Sequence, residues 1–265
     1  MEEQRHGGGV ADSAERGAAR LRLVPEWLWW SINAVQLVFT LLWSAGCITL
    51  ALLVRLLTGS ERVPLRMAAW LWAPVLVRGA GARLEVSGLD NVDFSKPHMI
   101  VANHQSMIEI CALFMAVPVP LRFMLKASLG RVPFLGWYTR AMGMILLQRG
   151  NSTTVTAQLE QAAELLQGGQ NLVAFPEGTR SRDGSVRPFK TGAFRAAIDA
   201  GVPVVPVAIE GSGRVMPPDG FRIRPGRIRL AFGRAIATDG LGMADRRVLA
   251  HRARLAVSEL KRQID

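Results

Sequence analysis

One long apolar stretch limits what this chain can fold into more than any other feature. From Trp27 to Val54 no residue carries a charge over 28 positions. As an α-helix this run would be about 42 Å long, more than the roughly 30 Å hydrocarbon core of a bilayer. Tryptophans stand near its start at Trp27, Trp29 and Trp30, where the membrane interface favours aromatic side chains. We therefore predict a membrane-embedded helix near the N-terminus.

A second apolar run follows a polar break and extends from Met67 to Val77. It is too short to cross a bilayer, so it should lie at the interface or pack back on the first helix. Two topologies stay open: one tilted span, or a helical hairpin within one leaflet. We assign residues 1–22 to a disordered N-terminal tail, 23–80 to membrane-anchoring helices and 81–265 to one further domain.

Beyond residue 80, short apolar runs alternate with amphipathic stretches. The predicted strands are Met99–Ala102, Leu121–Leu125, Met144–Leu147, Asn171–Phe175, Val202–Ile209, Phe221–Arg224 and Arg227–Phe232. The predicted helices are Ser106–Ala116, Phe134–Ala141, Thr154–Gln167, Gly192–Ala200 and Ala244–Arg262. This alternation is typical of an α/β architecture. We predict a central mostly parallel or mixed sheet flanked by helices and preceded by the membrane-embedded segment.

The chain is strongly basic, with 32 Lys and Arg against 21 Asp and Glu and a formal net charge of +11. Between Arg180 and Arg234 eleven basic residues stand against four acidic ones. Such a surface attracts polyanions, and charge alone does not separate anionic lipid from nucleic acid or from an ordinary solvated face. The two cysteines and four histidines do not show the spacing of a metal site.

The heptapeptide from Asn103 to Glu109 directly follows the apolar run MIVA. Open α/β sheets place their sites where a strand gives way to a helix. His104 can take a proton from a hydroxyl and return it, because the pKa of histidine lies nearest neutrality. Glu109 can orient the imidazole if His104 lies in the turn before the helix.

Glu109 also has a purely structural interpretation. Ser106 and Glu109 have the S-x-x-E spacing of a capping box, in which the glutamate serves the helix backbone. On this heptapeptide alone, the catalytic and structural interpretations of His104 are equally open.

Three cations follow other predicted strands. Lys126 ends the run LRFML, Arg149 follows MILLQ, and Arg180 lies in FPEGTRS after the run NLVAF. In FPEGTRS, proline and Gly178 force a tight turn in which a ligand can approach the backbone beside Glu177. Arginine offers a planar fork of donors suited to phosphate. The pattern predicts an anionic substrate across one edge of the sheet.

The chain lacks the G-x-S-x-G, Walker and G-x-G-x-x-G motifs. Without an obvious Ser or Cys nucleophile, direct attack by a deprotonated substrate hydroxyl is the simpler mechanism. Ser106 is the alternative nucleophile, but the helix cap is its better-supported role.

Together these motifs resemble the glycerolipid acyltransferase family, and within it the bacterial lysophosphatidate (1-acylglycerol-3-phosphate) acyltransferases. Four blocks appear in the family's order: NHQSMIE at 103–109, KASLGRVPFLGWYTRAMGMILLQR at 126–149, FPEGTRS at 175–181 and VPVVPVAI at 202–209. The preceding apolar helices match the family's membrane-anchoring layout. The family usually has Asp where this chain has Glu109, which keeps the charge but adds a methylene.

The resemblance implies transfer of a fatty acyl group from acyl-CoA or acyl-carrier protein to the sn-2 hydroxyl of lysophosphatidate, giving phosphatidic acid in phospholipid synthesis. It implies that His104 is the general base and that Glu109 orients it. It assigns the phosphate and its pocket to Lys126, Arg149, Glu177, Gly178, Thr179 and Arg180. No metal or bound organic cofactor is implied, since the thioester is a substrate.

The implied partners are the membrane bilayer, a lysophospholipid acceptor and the thioester donor, but not nucleic acid. The implied location is the bacterial inner membrane, with the active site facing the cytoplasm. One alternative is the same chemistry on another lysolipid, such as a lyso-ornithine lipid. Another is a non-catalytic basic membrane protein that binds anionic lipid or nucleic acid, which leaves the four ordered blocks unexplained.

Overall fold

The computed structural model describes residues 25–148 and 152–265. The tail predicted over 1–22 lies outside the described residues, as does Arg149. The chain divides into two compact units after Phe39, and the larger unit contains the whole sheet.

The longest helix, α1 (Glu26–Thr58), contains the uncharged run. Within the described residues it is the one helix long and apolar enough to cross a membrane, by length and composition. Only 6% of its most apolar window is buried, whereas a core helix of a soluble protein would bury such a surface. The predicted long apolar helix near the N-terminus is confirmed.

The second apolar run lies within three consecutive helical segments: α2 (Arg62–Met67), a π-helical turn (Ala68–Trp72) and α3 (Ala73–Gly79). Leu65 and Val77 are buried in the main hydrophobic core. Trp72 Nε1 donates a hydrogen bond of 2.9 Å to Ser44 Oγ of α1. The run therefore packs back on the first helix, one of its two predicted placements.

In the described part of the chain, seven strands form the sheet: β1 (Ala82–Ser87), β2 (Met99–Ala102), β3 (Leu121–Lys126), β4 (Ile145–Leu147), β5 (Asn171–Ala174), β6 (Val204–Glu210) and β7 (Gly226–Phe232). Their spatial order is β1-β7-β6-β2-β5-β3-β4. All neighbours are parallel except β6 and β7. The sheet is thus mixed and mostly parallel, as predicted.

Helices cover both faces of the sheet: α4 (Ile108–Ala116), α5 (Leu135–Ala141), α6 (Ser152–Gln167), α7 (Gly192–Ala200), α8 (Ser212–Val215) and α9 (Arg246–Ile264). Side chains alternate along β2, because successive residues of a strand point to opposite faces. Ile100 and Ala102 pack in the core with α3 and α4. Met99 and Val101 pack on the other face with α6, α7 and α9. The predicted α/β class is confirmed.

One predicted strand is wrong and one strand was missed. Phe221–Arg224 is an irregular segment, because the Arg224 amide bonds to Val215 O at 2.9 Å, at the end of α8, and not to a neighbouring strand. Its alternation of charged and apolar residues reflects a half-buried loop. The missed strand, β1, is an exposed edge strand with few buried residues to give a periodic signal.

Candidate active site

His104 lies just beyond the end of β2, in the turn that precedes α4. Asn103 fixes this turn to β6 with its buried side chain. The Asn103 amide donates to Ile209 O at 2.8 Å, and its Oδ1 accepts the Ile209 N–H at 2.8 Å. These bonds continue the β2–β6 ladder through a side chain. The central strands therefore determine where His104 lies.

Glu109, in the first turn of α4, is fully buried and reaches His104. Its Oε2 lies 2.6 Å from His104 Nδ1. A carboxylate at this distance favours the tautomer with a proton on Nδ1 and leaves Nε2 to accept one. In the described part of the chain His104 Nε2 has no hydrogen-bond partner, and 14% of the side chain is exposed.

The second carboxylate oxygen of Glu109 serves the backbone. Glu109 Oε1 accepts the N–H groups of Gln105 at 2.8 Å and Ser106 at 3.0 Å. This is the glutamate half of a capping box, while Ser106 Oγ accepts the Ile108 N–H at 3.4 Å. The contacts that both interpretations require are present, because each involves a different oxygen of Glu109.

Ser212, which the sequence did not single out, also holds Glu109. It is buried, and its hydroxyl donates to Glu109 Oε1 at 2.5 Å. Ser212 starts α8 directly after Gly211, whose φ is +82°. A Cβ at Gly211 would lie 2.1 Å from Arg227 O, so only glycine fits this turn. The contact depends on β6 lying beside β2, which no short motif reveals.

The loop after β5 covers the backbone and one face of His104. The ring of Phe175 stacks on the imidazole with centroids 4.1 Å apart. Glu177 Oε1 accepts the His104 backbone N–H at 3.1 Å. Burial, helped by the charge of Glu109, raises the pKa of Glu177 to about 7, although the His104 amide and Arg187 act in the opposite direction. Glu177 is therefore poised between its neutral and charged forms near pH 7.

Two of the three predicted phosphate ligands are described, and both lie at the active-site edge. Lys126 ends β3 and is exposed, and Arg180 is half-buried in the loop after β5. Neither side chain has a hydrogen bond or ion pair within the described residues. Both cations are thus available to an anion. The placement of Arg149 stays a prediction, since it lies outside those residues.

Two further cations that the sequence analysis did not single out accompany the FPEGTRS loop. A Cβ on Gly178 (φ +71°) would lie 2.7 Å from Lys190 Nζ, so this ammonium group lies over the glycine. The charge of Arg187 acts on Glu177. Thr179, the predicted pocket residue next to Gly178, is exposed. In the sequence, Arg187 and Lys190 could have been picked out only as part of the basic stretch that follows FPEGTRS.

An apolar cavity of about 350 Å³ lies beside the site. Its lining includes Cys47 of α1, Trp72 of the π-helical turn, Met107 just before α4 and Cys111 of α4, but not His104. Arg180 is the one charged side chain among the described lining residues. An apolar cavity with a cation in its wall suits an amphiphile that carries a negative group.

The fold and site define an α/β protein in which a part-buried histidine contacts a buried carboxylate. Two cations without a partner among the described residues lie at the same edge of a mostly parallel sheet. Such a histidine–carboxylate pair can remove a proton from a hydroxyl. Among the described residues, no group of three or more His, Cys, Asp or Glu side chains could hold a metal ion.

Comparison with known proteins agrees with this class. The Acyltransferase family model matches residues 83–210. A 1-acyl-sn-glycerol-3-phosphate acyltransferase of Pseudomonas aeruginosa is 36% identical over 200 residues, which are 75% of each chain. The chloroplastic relative from Brassica napus, with the same enzyme name, is 34% identical over 65% of this chain. The chain belongs to this acyltransferase family.

The chain spans 53% of the length of the Brassica napus relative. The fold is shared with the 1-acyl-sn-glycerophosphate acyltransferase PlsC of Thermotoga maritima, whose crystal structure matches with a TM-score of 0.68 and 24% identity. The match covers 89% of this chain and 96% of that one.

Proposed function

We propose that this protein transfers a fatty acyl group from a thioester to the sn-2 hydroxyl of 1-acylglycerol-3-phosphate, giving phosphatidic acid. The His104–Glu109 pair carries the proposal, because the 2.6 Å contact at Nδ1 leaves Nε2 to accept a hydroxyl proton. The names of the Pseudomonas and Brassica relatives support the acceptor.

In the proposed reaction His104 Nε2 takes the proton of the acceptor hydroxyl as its oxygen attacks the thioester carbonyl carbon. Glu109 stabilises the imidazolium through Nδ1–H. Collapse of the tetrahedral intermediate breaks the C–S bond, and the departing sulfur takes the proton from Nε2. The products are an ester and a thiol, and His104 is neutral again. Neither a metal nor a bound organic cofactor is needed, because the thioester is itself the activated substrate.

The anionic headgroup would lie at the carboxyl edge of the sheet. Lys126, Arg149 and Arg180 would neutralise the phosphate, while Glu177, Gly178 and Thr179 shape the loop around it. The apolar cavity beside Arg180 supports an acyl chain as the adjoining part of the ligand. The donor would be acyl-CoA or acyl-carrier protein.

The apolar helix α1 supports attachment to a lipid bilayer. We place the chain in the bacterial inner membrane with the sheet domain on the cytoplasmic side, so that the lipid acceptor and the two-tailed product stay in the bilayer. The product would enter phospholipid synthesis. Nucleic acid is not a partner in this account.

The test is a substrate panel with the purified full-length protein. Lysophosphatidate, lysophosphatidylethanolamine and lyso-ornithine lipid are each incubated with acyl-CoA and with acyl-carrier protein thioester, and products are identified by mass. The proposal expects phosphatidic acid as the dominant product. Acylation of lyso-ornithine lipid in preference to lysophosphatidate would reassign the acceptor. No transfer to any lysolipid would contradict the proposed enzyme class.

A further inference from the structure

The segment between β3 and β4, residues 127–141, presents large apolar side chains to solvent. Val132 is 45% exposed, Phe134 39% and Trp137 52%. The rings of Phe134 and Trp137 contact each other, with centroids 5.1 Å apart. A neighbouring cluster of exposed apolar and aromatic side chains is characteristic of an interaction surface.

The backbone at the tip of this segment is strained. Phe134 is the one non-glycine residue with positive φ among the described residues, at φ +59° and ψ −57°. The Leu135 N–H bonds to Pro133 O at 2.6 Å, so Phe134 occupies the centre of a rare γ-turn. Glycine would adopt this conformation at no steric cost. A phenylalanine in its place, with its ring exposed, indicates that the side chain has a use outside the fold.

The segment lies at the same edge of the sheet as the catalytic pair. It starts directly after Lys126, at the carboxyl end of β3, and β3, β5 and β2 are parallel neighbours. Its inward side chains, Leu129 and Leu135 among them, line the apolar cavity. One segment therefore separates the cavity from the solvent-exposed aromatic pair.

The charge around the segment indicates what it contacts. Between Glu109 and Glu160 the sequence has no acidic residue, and the basic residues there are Arg122, Lys126, Arg131, Arg140 and Arg149. Lys126 and Arg131 are exposed. Apolar tips flanked by cations suit the boundary between anionic headgroups and acyl chains, where aromatic rings are favoured.

We propose that residues 127–141 form a second membrane contact, distinct from α1, in which Val132, Phe134 and Trp137 enter the interface of an anionic bilayer. The tips would lie about 5–10 Å into the boundary between headgroups and acyl chains, as interfacial segments do. The contact holds the cavity and the carboxyl edge of the sheet at the lipid surface. The benefit of this contact for acyl transfer rests on the proposed function, whereas the membrane contact itself does not.

The first experiment measures membrane depth without using catalysis. An environment-sensitive fluorophore is attached at Trp137→Cys, or at Leu255→Cys as a control, in the full chain with Cys47→Ser and Cys111→Ala. Trp137 and Leu255 are both 52% exposed, and Leu255 lies on α9. In phosphatidylglycerol–phosphatidylethanolamine vesicles with brominated acyl chains, we expect a blue shift and quenching at position 137 and neither at 255. Equal, water-like emission at both positions would overturn the proposal.

The same assay distinguishes lipid from two alternative binding partners, acyl-carrier protein and a second copy of the chain. A blue shift at position 137 that appears on adding acyl-carrier protein in detergent, without vesicles, would show that the surface binds the carrier. A blue shift that grows with protein concentration in detergent would show a second copy of the chain. Either result, with no quenching by brominated lipid, would overturn the membrane contact.

The second experiment tests the purpose of the contact. Phe134→Gly with Trp137→Ser is compared with Val248→Ser with Leu255→Ser, an exposed apolar pair on α9. For vesicle-embedded lysophosphatidate we expect kcat/KM of the first variant to fall about tenfold. For a water-soluble short-chain acceptor both variants should stay within about twofold of wild type. Unchanged activity of the first variant on vesicles would contradict a role of the contact in acyl transfer. An inactive wild type would contradict only the proposed function.

Discussion

The two oxygens of Glu109 have different partners. Oε2 lies against the imidazole of His104, while Oε1 accepts two backbone N–H groups and the hydroxyl of Ser212. A buried carboxylate with this many donors is fully satisfied, which is the condition for keeping a charge inside a protein. The Glu109 carboxylate is thus held at both oxygens, by His104 on one and by three donors on the other.

Substitution of Glu109 should separate its two roles. Glu109→Ala should lower kcat by at least about 100-fold, because His104 loses the group that selects its tautomer. Glu109→Asp should stay within about tenfold of wild type, since it keeps the carboxylate. Steady-state kinetics below the melting temperature of each variant provides the measurement. If Glu109→Ala lost only thermal stability, Glu109 would be a helix cap alone.

Ser212 should act on the reaction through Glu109. Ser212→Ala removes a hydrogen bond to a buried charge, so kcat should fall by about tenfold while KM for the acceptor stays unchanged. In combination with Glu109→Ala it should have no further effect on kcat, because the two residues act as one unit. Additive losses in the double variant would show that Ser212 acts independently of Glu109.

The raised pKa of Glu177 predicts a pH dependence of stability. Its folded-state pKa of about 7 lies above the ordinary value of about 4.3. The folded state therefore binds this proton more tightly, and the stability it contributes is complete below about pH 4 and is lost as the pH rises through about 7. Glu177→Gln mimics the neutral form and should flatten this decline.

The measurement for Glu177 is the melting temperature of wild type and Glu177→Gln in detergent at several pH values. The difference between the two proteins should grow in favour of Glu177→Gln as the pH rises from about 5 to about 8. A difference that does not change with pH would show that Glu177 does not titrate in this window.

Among the helices and strands, those with a clear local pattern of apolar residues were predictable from the sequence. The strands that form the centre of the sheet are short apolar runs buried on both faces, and β2, β5 and β6 were predicted from them. Edge strand β1 lacks such a run, because most of its residues are exposed. The false strand at Phe221–Arg224 shows the converse, since a half-buried loop can imitate period two.

The candidate site follows the same division. His104, Glu109 and Arg180 could be proposed as site residues from the sequence, because each stands in a short block beside an apolar run. The five-residue spacing predicts that His104 and Glu109 meet only if His104 lies in the turn before the helix. His104 does lie in the turn before α4, and the two side chains are in contact. Ser212 was not predictable in this way, because it reaches Glu109 across 103 positions of sequence, through the pairing of β2 with β6.

The turn between β6 and α8 offers a test of how elements hold the site. Gly211→Ala would place a Cβ 2.1 Å from Arg227 O at φ +82° and should cost at least about 2 kcal/mol of stability. Gly240→Ala is the control: its φ is +72°, but nothing lies within 4 Å of the added atom, so the cost should be about 1 kcal/mol. Equal losses in thermal unfolding would mean that Arg227 O moves away freely.

At the scale of the whole molecule, three features meet at one edge of the sheet. The carboxyl ends of β2 and β5 bring His104 and Glu177 together, and the cations Lys126 and Arg180 follow neighbouring strands. The apolar cavity lies beside them, and α1 lines part of it. This arrangement suits a reaction on a substrate with a charged headgroup and an apolar chain, as proposed.

In the proposed reaction His104 removes the proton from the acceptor hydroxyl. The most direct measurement compares single-turnover acyl transfer from acyl-CoA to lysophosphatidate by wild type and His104→Ala, with lysophosphatidate binding and melting temperature recorded for both. We expect His104→Ala to lose about 100-fold or more in rate, with binding and melting temperature unchanged. A folded His104→Ala variant that transfers the acyl group at the wild-type rate would contradict this role of His104.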